Sequence, residues 1–377
     1  MRRSFLSPLR GRVARPALVA VIAAALLSAA TAATTAPAQG LGRQAPRHGV
    51  NWFPGYYVLS DRTDSILKKM LQDPLVAPFT GVQLRYHWAD SERSRGNYSR
   101  GFAQLDHDLK IIAATRKKLL VMLQYKSFDR GPAVPAYLLA PGGPWCSGGY
   151  CGQLSVGHSS LAMVWNPAVN ARLRAWIRAT AVHLARSRYA SSVAGIVFNE
   201  TSLPTNGVDV LREAGYDPYR YMHGLQANLL AATRAAPRLP VFYYHEGGFV
   251  SMNGESVNAG QIMGDWMLRH PHTGTGTPDL KPKDPKSPQH PCANPLYQGR
   301  IPCNPDVQSH DYDRDVTDSL QQTLAAALRP APVGLRGSYV TFSYTRAPDP
   351  SQAFTFADVS AYIAGHAMPK TAIPPGW

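Results

Sequence analysis

Short apolar runs and longer segments with helical spacing alternate along most of this 377-residue chain. Several of the short runs are nearly continuous rather than alternating, as expected of parallel strands buried on both faces. The pattern predicts strands at HGVNWF (48–53), GVQLRYHW (81–88), KLLVMLQYK (118–126) and VAGIVFNE (193–200). It predicts four more at PVFYYHE (240–246), TGTGTPDL (273–280), RIPCNPDVQ (300–308) and GSYVTFSYT (337–345). The clearest helix follows Asn166, an N-cap residue with Pro167 in the first helical position. Val169, Leu173, Trp176, Ile177, Thr180 and Leu184 then form one apolar stripe. Further helices are expected over 64–71, 102–114, 219–234, 260–269, 316–328 and 356–365.

Eight strands with intervening helices predict an α/β chain folded as a (β/α)8 TIM barrel, with an open doubly wound sheet as the competing architecture. The sixth strand is the least regular, being short and rich in Gly and Thr; the helix pattern of Ile262, Met263, Trp266 and Met267 just before it calls for a strand there. The connection from Lys281 to Gln298 carries too many prolines for a helix and reads as an irregular loop. No composition break or internal repeat divides residues 48–377, which are expected to form one barrel domain.

The first 38 residues stand apart. Five arginines precede an apolar stretch from Ala17 to Ala30, and small residues offer cleavage after Ala32 or Ala38, the layout of an export signal. The RRSFL run (2–6) also resembles the twin-arginine signature. Residues 39–47 read as a linker. Loss of a leader with five arginines and no acids takes the net charge from +15 to +10. The remaining charges are scattered, which reads as a solvated basic surface rather than a nucleic-acid footprint. No later stretch approaches the roughly 18 apolar residues of a membrane span. Four cysteines in an exported chain suggest two disulfides, and local pairing of Cys146 with Cys151 and of Cys292 with Cys303 is the simplest of three connectivities. Their spacings match no common zinc layout. The expected location is periplasmic or extracellular.

In a barrel of this kind the active site lies at the C-terminal ends of the strands. That rule places Asn51 and Trp52 at the end of strand one, Arg85, His87 and Trp88 at strand two, and Gln124 and Lys126 at strand three. Strand four delivers Asn199 and Glu200, strand five His245 and Glu246, and strand six Asp279. Gln308, His310 and Asp311 follow strand seven, and Tyr344 and Arg346 strand eight. Cleavage of a glycosidic bond needs two carboxyl groups flanking the anomeric carbon, and this rim holds several.

The stretch 81–124, with Arg85, Trp88 and ERSRGNY (92–98), resembles the second and third strand units of clan A glycoside hydrolases. GIVFNE (195–200) is similar to that clan's strand-four Asn-Glu. The resemblance implies an acid/base role for Glu200 and a sugar-positioning role for Asn199, on a poly- or oligosaccharide substrate and with no cofactor. Trp52, Arg85, Trp88, Gln124, Gln308, Asp311 and Tyr344 would line the sugar subsites. The chain departs from the clan where a strand-seven Glu is the nucleophile, because RIPCNPDVQSHDYD contains none. Asp279, Glu246 and Asp311 compete as the partner of Glu200, while Asp306 precedes the apolar end of its strand. Two other readings stand beside this one: a barrel that binds glycan or cell envelope without cleaving it, and a metal-dependent hydrolase built on His245, Asp279, His310 and Asp311. No G-x-S-x-G elbow, Walker loop or strand-led G-x-G-x-x-G supports serine-hydrolase or nucleotide chemistry.

Overall fold

The computed structural model describes residues 49–60, 64–129, 131–204, 207–246, 257–345, 349–368 and 371–377; the expected leader and linker, and Arg346, lie outside them. Eight parallel strands close into a barrel in chain order. They are β1 (Gly55–Ser60), β2 (Gly81–His87), β3 (Lys118–Gln124) and β4 (Val193–Glu200). The circuit continues through β5 (Val241–Tyr244), β6 (Thr273–Thr277), β7 (Cys303–Val307) and β8 (Tyr339–Ser343), which pairs back onto β1. Helices α1 (Asp64–Gln72), α2 (Ser99–Ala114), α3 (Pro167–Arg186) and α4 (Pro218–Ala235) follow the first four strands. Helices α5 (Ala259–Leu268), α6 (Leu320–Leu328) and α7 (Phe356–Gly365) follow β5, β7 and β8. The TIM barrel expected from the pattern is therefore the fold.

Period-two alternation sorts each strand into two separate apolar clusters. Outward positions such as Val82, Leu84, Val121, Leu123 and Phe198 join the helices in the larger cluster. Inward positions, namely Tyr57, Leu120, Met122, Val197, Phe242, Tyr244 and Tyr339, fill the barrel interior. Space for the two β5 aromatics comes from β6. A Cβ on Gly274 would lie 2.6 Å from the Phe242 ring, and one on Gly276 would lie 2.7 Å from the Tyr244 ring. TGTGT is thus a strand whose inward face is empty so that its neighbour's face can be large.

The α3 boundary follows the expected cap: the Asn166 side chain accepts from Ala168 and Val169 N–H, with Pro167 next. The apolar stripe of this helix is buried, and Trp176 stacks on Trp88 with ring centroids 6.0 Å apart. Between β3 and α3 the chain makes an excursion that the sequence pattern did not resolve. Lys126–Ser127, Gln153–Val156 and Ser159–Ala162 form a three-stranded antiparallel sheet, and Cys146–Cys151 bridges a small hairpin beside it. The β6–β7 connection contains no helix and is tied by Cys292–Cys303, as its prolines suggested.

One strand is displaced from its expected place. HGVNWF does not form β1; the strand begins after Pro54, and Trp52 and Phe53 instead close the N-terminal end of the barrel. Trp52 packs edge-on against Tyr339 and Trp377 and donates its Nε1–H to the Thr371 carbonyl, while Asn51 donates to the Ala190 and Val193 carbonyls. The apolar run continues through both halves of 50–59, so its pattern alone does not say which half pairs. Pro54, which has no N–H to give, divides them.

The glycine face of β6 is testable. Gly276→Ala puts a methyl group 2.2 Å from the Asn304 carbonyl oxygen. Urea unfolding should show a loss of about 1–3 kcal/mol, or more if the strand cannot shift.

Candidate active site

The floor of the C-terminal rim is a buried polar layer. Gln83 of β2 donates to the Tyr244 hydroxyl at 2.8 Å, Asn304 of β7 donates to the same hydroxyl at 3.2 Å, and Thr341 of β8 donates to Asn304 Oδ1 at 3.1 Å. Two residues further along β2 and β7, on the same inward faces, stand Arg85 and Asp306. Asp306 is fully buried and neither carboxyl oxygen accepts a hydrogen bond from the described residues. Burial pushes its carboxyl well above the usual range; the Arg85 charge opposes that shift, and the charges of Asp311 and Asp279 add to it.

Glu200 ends β4, where the apolar run meets the rim. Its Oε1 accepts from Lys126 Nζ at 2.5 Å and from the Ser202 hydroxyl. Lys126, the second residue past β3, is itself buried, and its Nζ also donates to the Ser202 carbonyl at 2.8 Å. Burial lowers the Lys126 pKa, against the pull of Glu200 and the weaker charges of Glu246 and Asp279. One ammonium group thus lies within electrostatic reach of carboxylates from β4, from the end of β5 and from the end of β6. Glu246 is held beside Glu200 because the Thr201 hydroxyl donates to its carbonyl and accepts from its N–H, and its side chain pairs with Lys286 at 2.8 Å.

Asp279 leaves β6 toward β7. His310 Nε2 lies 3.2 Å from Asp279 Oδ1 and 3.3 Å from Asp311 Oδ1. Asp311 is fully buried, with its other oxygen accepting from the N–H groups of Leu280 and Gln308. Burial, joined by the Asp279 charge and opposed by those hydrogen bonds and His310, pushes the Asp311 carboxyl up to about 7. Burial also works to raise Asp279, yet its hydrogen bond to His310 and the charges of His310, Lys281 and Lys286 hold it below the usual carboxylate range. Gln308 does not reach outward: its side-chain amide donates to the Pro278 carbonyl at 2.9 Å and ties the two loops together.

An open cleft of about 510 Å³ adjoins this group on the β2–β3 side. Arg85, His87, Arg100, Gln124 and Lys126 line it, together with Phe128, whose exposed ring lies 4.7 Å from Lys126 Nζ. Gln124 is buried at the floor of this space, and its carbonyl oxygen has no hydrogen-bond partner among the described residues.

Several residues expected at the rim stand elsewhere. Trp52 is at the opposite end of the barrel, since β1 starts three residues after it. Trp88 is fully buried, stacked on Trp176, with its Nε1–H donated to Glu92 at 2.7 Å. Tyr344 follows an inward Ser343, so it turns outward onto Phe356 and donates to Asp73 at 2.6 Å. The Asn199 amide is engaged by backbone, its oxygen by Tyr125 N–H and its NH2 by the Glu200 carbonyl, so it clamps β3 to β4. His245 points away from the rim and meets His290, with ring centroids 5.0 Å apart, so it does not join Asp279, His310 and Asp311.

The ERSRGNY stretch has a structural office. Buried Glu92 accepts from Trp88, from Gly96 N–H at 2.7 Å and from the Tyr137 hydroxyl at 3.0 Å, and it pairs with Arg172 of α3, which also reaches the Tyr98 hydroxyl. Gly96 makes this turn at φ +79°, where a side chain is strained. Sequence reasoning assigned no role to Lys126, Lys286 or Phe128 and set Asp306 aside. The signal for Asp306 was available: it is two residues past Asn304 in one strand, hence on the same face.

No protein-family model matches the chain, and no curated protein matches it. Solved structures share its fold. The β-galactosidase of Bacillus circulans sp. alkalophilus superposes with a TM-score of 0.52 at 8% identity, over 83% of this chain and 56% of that one. The β-galactosidase of the psychrophilic Marinomonas ef1 gives 0.51 at 10% identity, over 82% and 59%. The chain therefore spans little more than half the length of either galactosidase. GH5_18 from Streptomyces cattleya, solved with GlcNAc, gives 0.51 at 12% identity over 85% of this chain and 82% of that one. At such identities the likeness is one of fold.

The buried histidine pair makes acid stability a measurable consequence of this geometry. Burial, aided by the Lys286 charge, lowers His245 to about 4, and burial lowers His290 well below its usual value. Below about pH 6.5 the unfolded chain takes up a proton that folded His245 refuses, so stability falls as pH drops from 6.5 to 4, by roughly 3 kcal/mol for this residue. Denaturant unfolding of the wild type and His245→Gln across that window should show a shallower slope in the variant.

Proposed function

We propose that this chain, on a barrel shared with solved glycosidases, is a glycoside hydrolase that cleaves a poly- or oligosaccharide outside the cytoplasm. The observation that carries this reading is Glu200 at the end of β4, bonded to Lys126 of an open polar cleft, with Glu246 of the neighbouring strand end tied to Thr201 beside it. Glycosidic cleavage asks for one carboxyl to protonate the leaving oxygen and a second to attack or to activate water. Glu200 is the acid in this scheme. Lys126, which bonds Glu200 Oε1, stabilises the carboxylate left once Glu200 has given its proton to the leaving oxygen, and that carboxylate then takes a proton from the incoming water. Arg85, Gln124 and Phe128 offer a sugar two kinds of hydrogen-bonding group and an apolar face.

Glu246 is the better placed partner. Strands β4 and β5 are neighbours, with Tyr244 beside Glu200 in the register, and the Glu246 N–H is bonded to the hydroxyl of Thr201, next in the chain to Glu200. Side chains from neighbouring strand ends can approach the roughly 5–5.5 Å of a retaining pair, whereas Asp279, two strands away, suits the wider separation of an inverting one. Asp279 is also engaged by His310. Two disulfides fit an oxidising compartment, and no helix among the described residues is long and apolar enough to cross a membrane.

One observation favours a second reading, a barrel that holds glycan without cutting it. Glu200 Oε1 is already bonded by both Lys126 and Ser202, which leaves that oxygen less available to a substrate. Reducing-sugar release from a glycan panel separates the two. Glu200→Gln and Glu246→Gln should each lower kcat by roughly 10²–10⁴-fold while glycan binding persists. Proton NMR of the first product should show a retained anomer. Wild-type protein that binds a glycan and cleaves none of the panel supports the second reading; full turnover in Glu200→Gln ends the first.

A further inference from the structure

We propose that Asp279, His310 and Asp311 form a binding site for one divalent cation of the zinc type, at the β6–β7 corner of the rim. One donor atom from each lies within 4.8 Å of the others. The individual spacings are informative. His310 Nε2 is 3.2 Å from Asp279 Oδ1 and 3.3 Å from Asp311 Oδ1. Both exceed the roughly 2.7–2.9 Å of a charge-assisted hydrogen bond. Both match the roughly 3.3 Å edge of a tetrahedron whose donors sit about 2.0–2.1 Å from a central zinc ion.

Asp311 supplies an independent observation. Its side chain is fully buried, yet Oδ1 accepts no hydrogen bond of sound geometry from the described residues. Its other oxygen is held by Leu280 N–H at 3.1 Å and Gln308 N–H at 2.8 Å. Those two bonds aim the unpartnered oxygen at Asp279 and His310, much as outer partners orient a metal-ligating carboxylate. A single ring N–H can satisfy one of the two facing oxygens, whereas a cation satisfies both.

Charge points the same way. Two carboxylates facing a neutral imidazole leave two negative charges, of which the Lys281 ammonium, 3.7 Å from Asp279 Oδ2, offsets one at the exposed side. A cation between the three donors supplies, next to buried Asp311, the compensation that Lys281 gives only to Asp279. One nitrogen and two oxygen donors suit zinc or manganese rather than calcium, which takes six to eight oxygens. His310 is half exposed, so the ion can enter from solvent and keep a water ligand. Because this site stands on β6 and β7, it is independent of the Glu200–Glu246 pair, and its failure and that of the hydrolase reading are told apart by a binding readout.

Calorimetric titration of chelator-treated protein with zinc chloride, manganese chloride and calcium chloride tests the site. The expected result is one equivalent of zinc or manganese per chain, with calcium much weaker. His310→Gln and Asp279→Asn replace partly exposed side chains, and each should weaken zinc binding at least ~100-fold while far-ultraviolet circular dichroism is unchanged. X-ray absorption of the zinc form should show one imidazole nitrogen with oxygen donors at about 2.0–2.2 Å. Absence of stoichiometric binding by the wild type, or unaltered affinity in both variants, overturns the proposal.

Discussion

Everything at the rim of this barrel rests on how its interior is filled. Phe242 and Tyr244 occupy the centre because β6 presents only Gly274 and Gly276 on its inward face. A tyrosine in that position brings a hydroxyl into a space closed to the surface, and a buried hydroxyl must be bonded. Gln83, Asn304 and Thr341 answer that need from three other strands. The polar layer they make is therefore a consequence of steric filling. It also sets the height and direction of the next inward residues, Arg85 and Asp306, on which the rim stands.

Above that floor, charge is organised by pairing. Glu200 with Lys126, Glu246 with Lys286, and Asp279 with His310 each set a carboxylate against a cationic or basic group from a different connection. Such pairs contribute little net stability when partly buried, because desolvation offsets attraction. All three stand at the C-terminal ends of β4 to β7, the end of the barrel on which the proposed chemistry is placed. Glu92 makes the contrast. It is buried and paired with Arg172, and it is surrounded by Trp88, Gly96, Tyr98 and Tyr137, all serving to lock the β2–α2 connection against α3. Both Glu92 and Glu200 have a basic partner, but Glu92 is fully buried whereas Glu200 is partly exposed and its partner Lys126 lines the open cleft.

Much of the fold was legible. Near-continuous apolar runs separated by helical stripes identify parallel strands and their crossovers, and all eight barrel strands except the first overlap their predicted segments. β1 was misplaced because 50–59 is apolar on both sides of Pro54 and periodicity does not distinguish a strand from a plug. Both disulfides are the local pairs that spacing favoured. Candidate site residues were legible only as far as strand ends and faces were right. Glu200, Glu246, Asp279 and Gln124 stand at the rim, while Trp88 and Tyr344 were lost to the core side by one step of alternation.

What the sequence by itself determined is the set of elements and the order in which they close, because hydrophobic period, caps and prolines are local properties of the chain. It also determined which residue types reach the strand ends. Only the tertiary structure decided which cation meets which carboxylate. Lys126 and Glu200 are 74 residues apart, and Lys286 and Glu246 are 40 apart. Those distances are spanned by loops whose path no periodicity encodes. The physical reason is that burial and charge pairing depend on through-space neighbours, and these exist only once the barrel has closed.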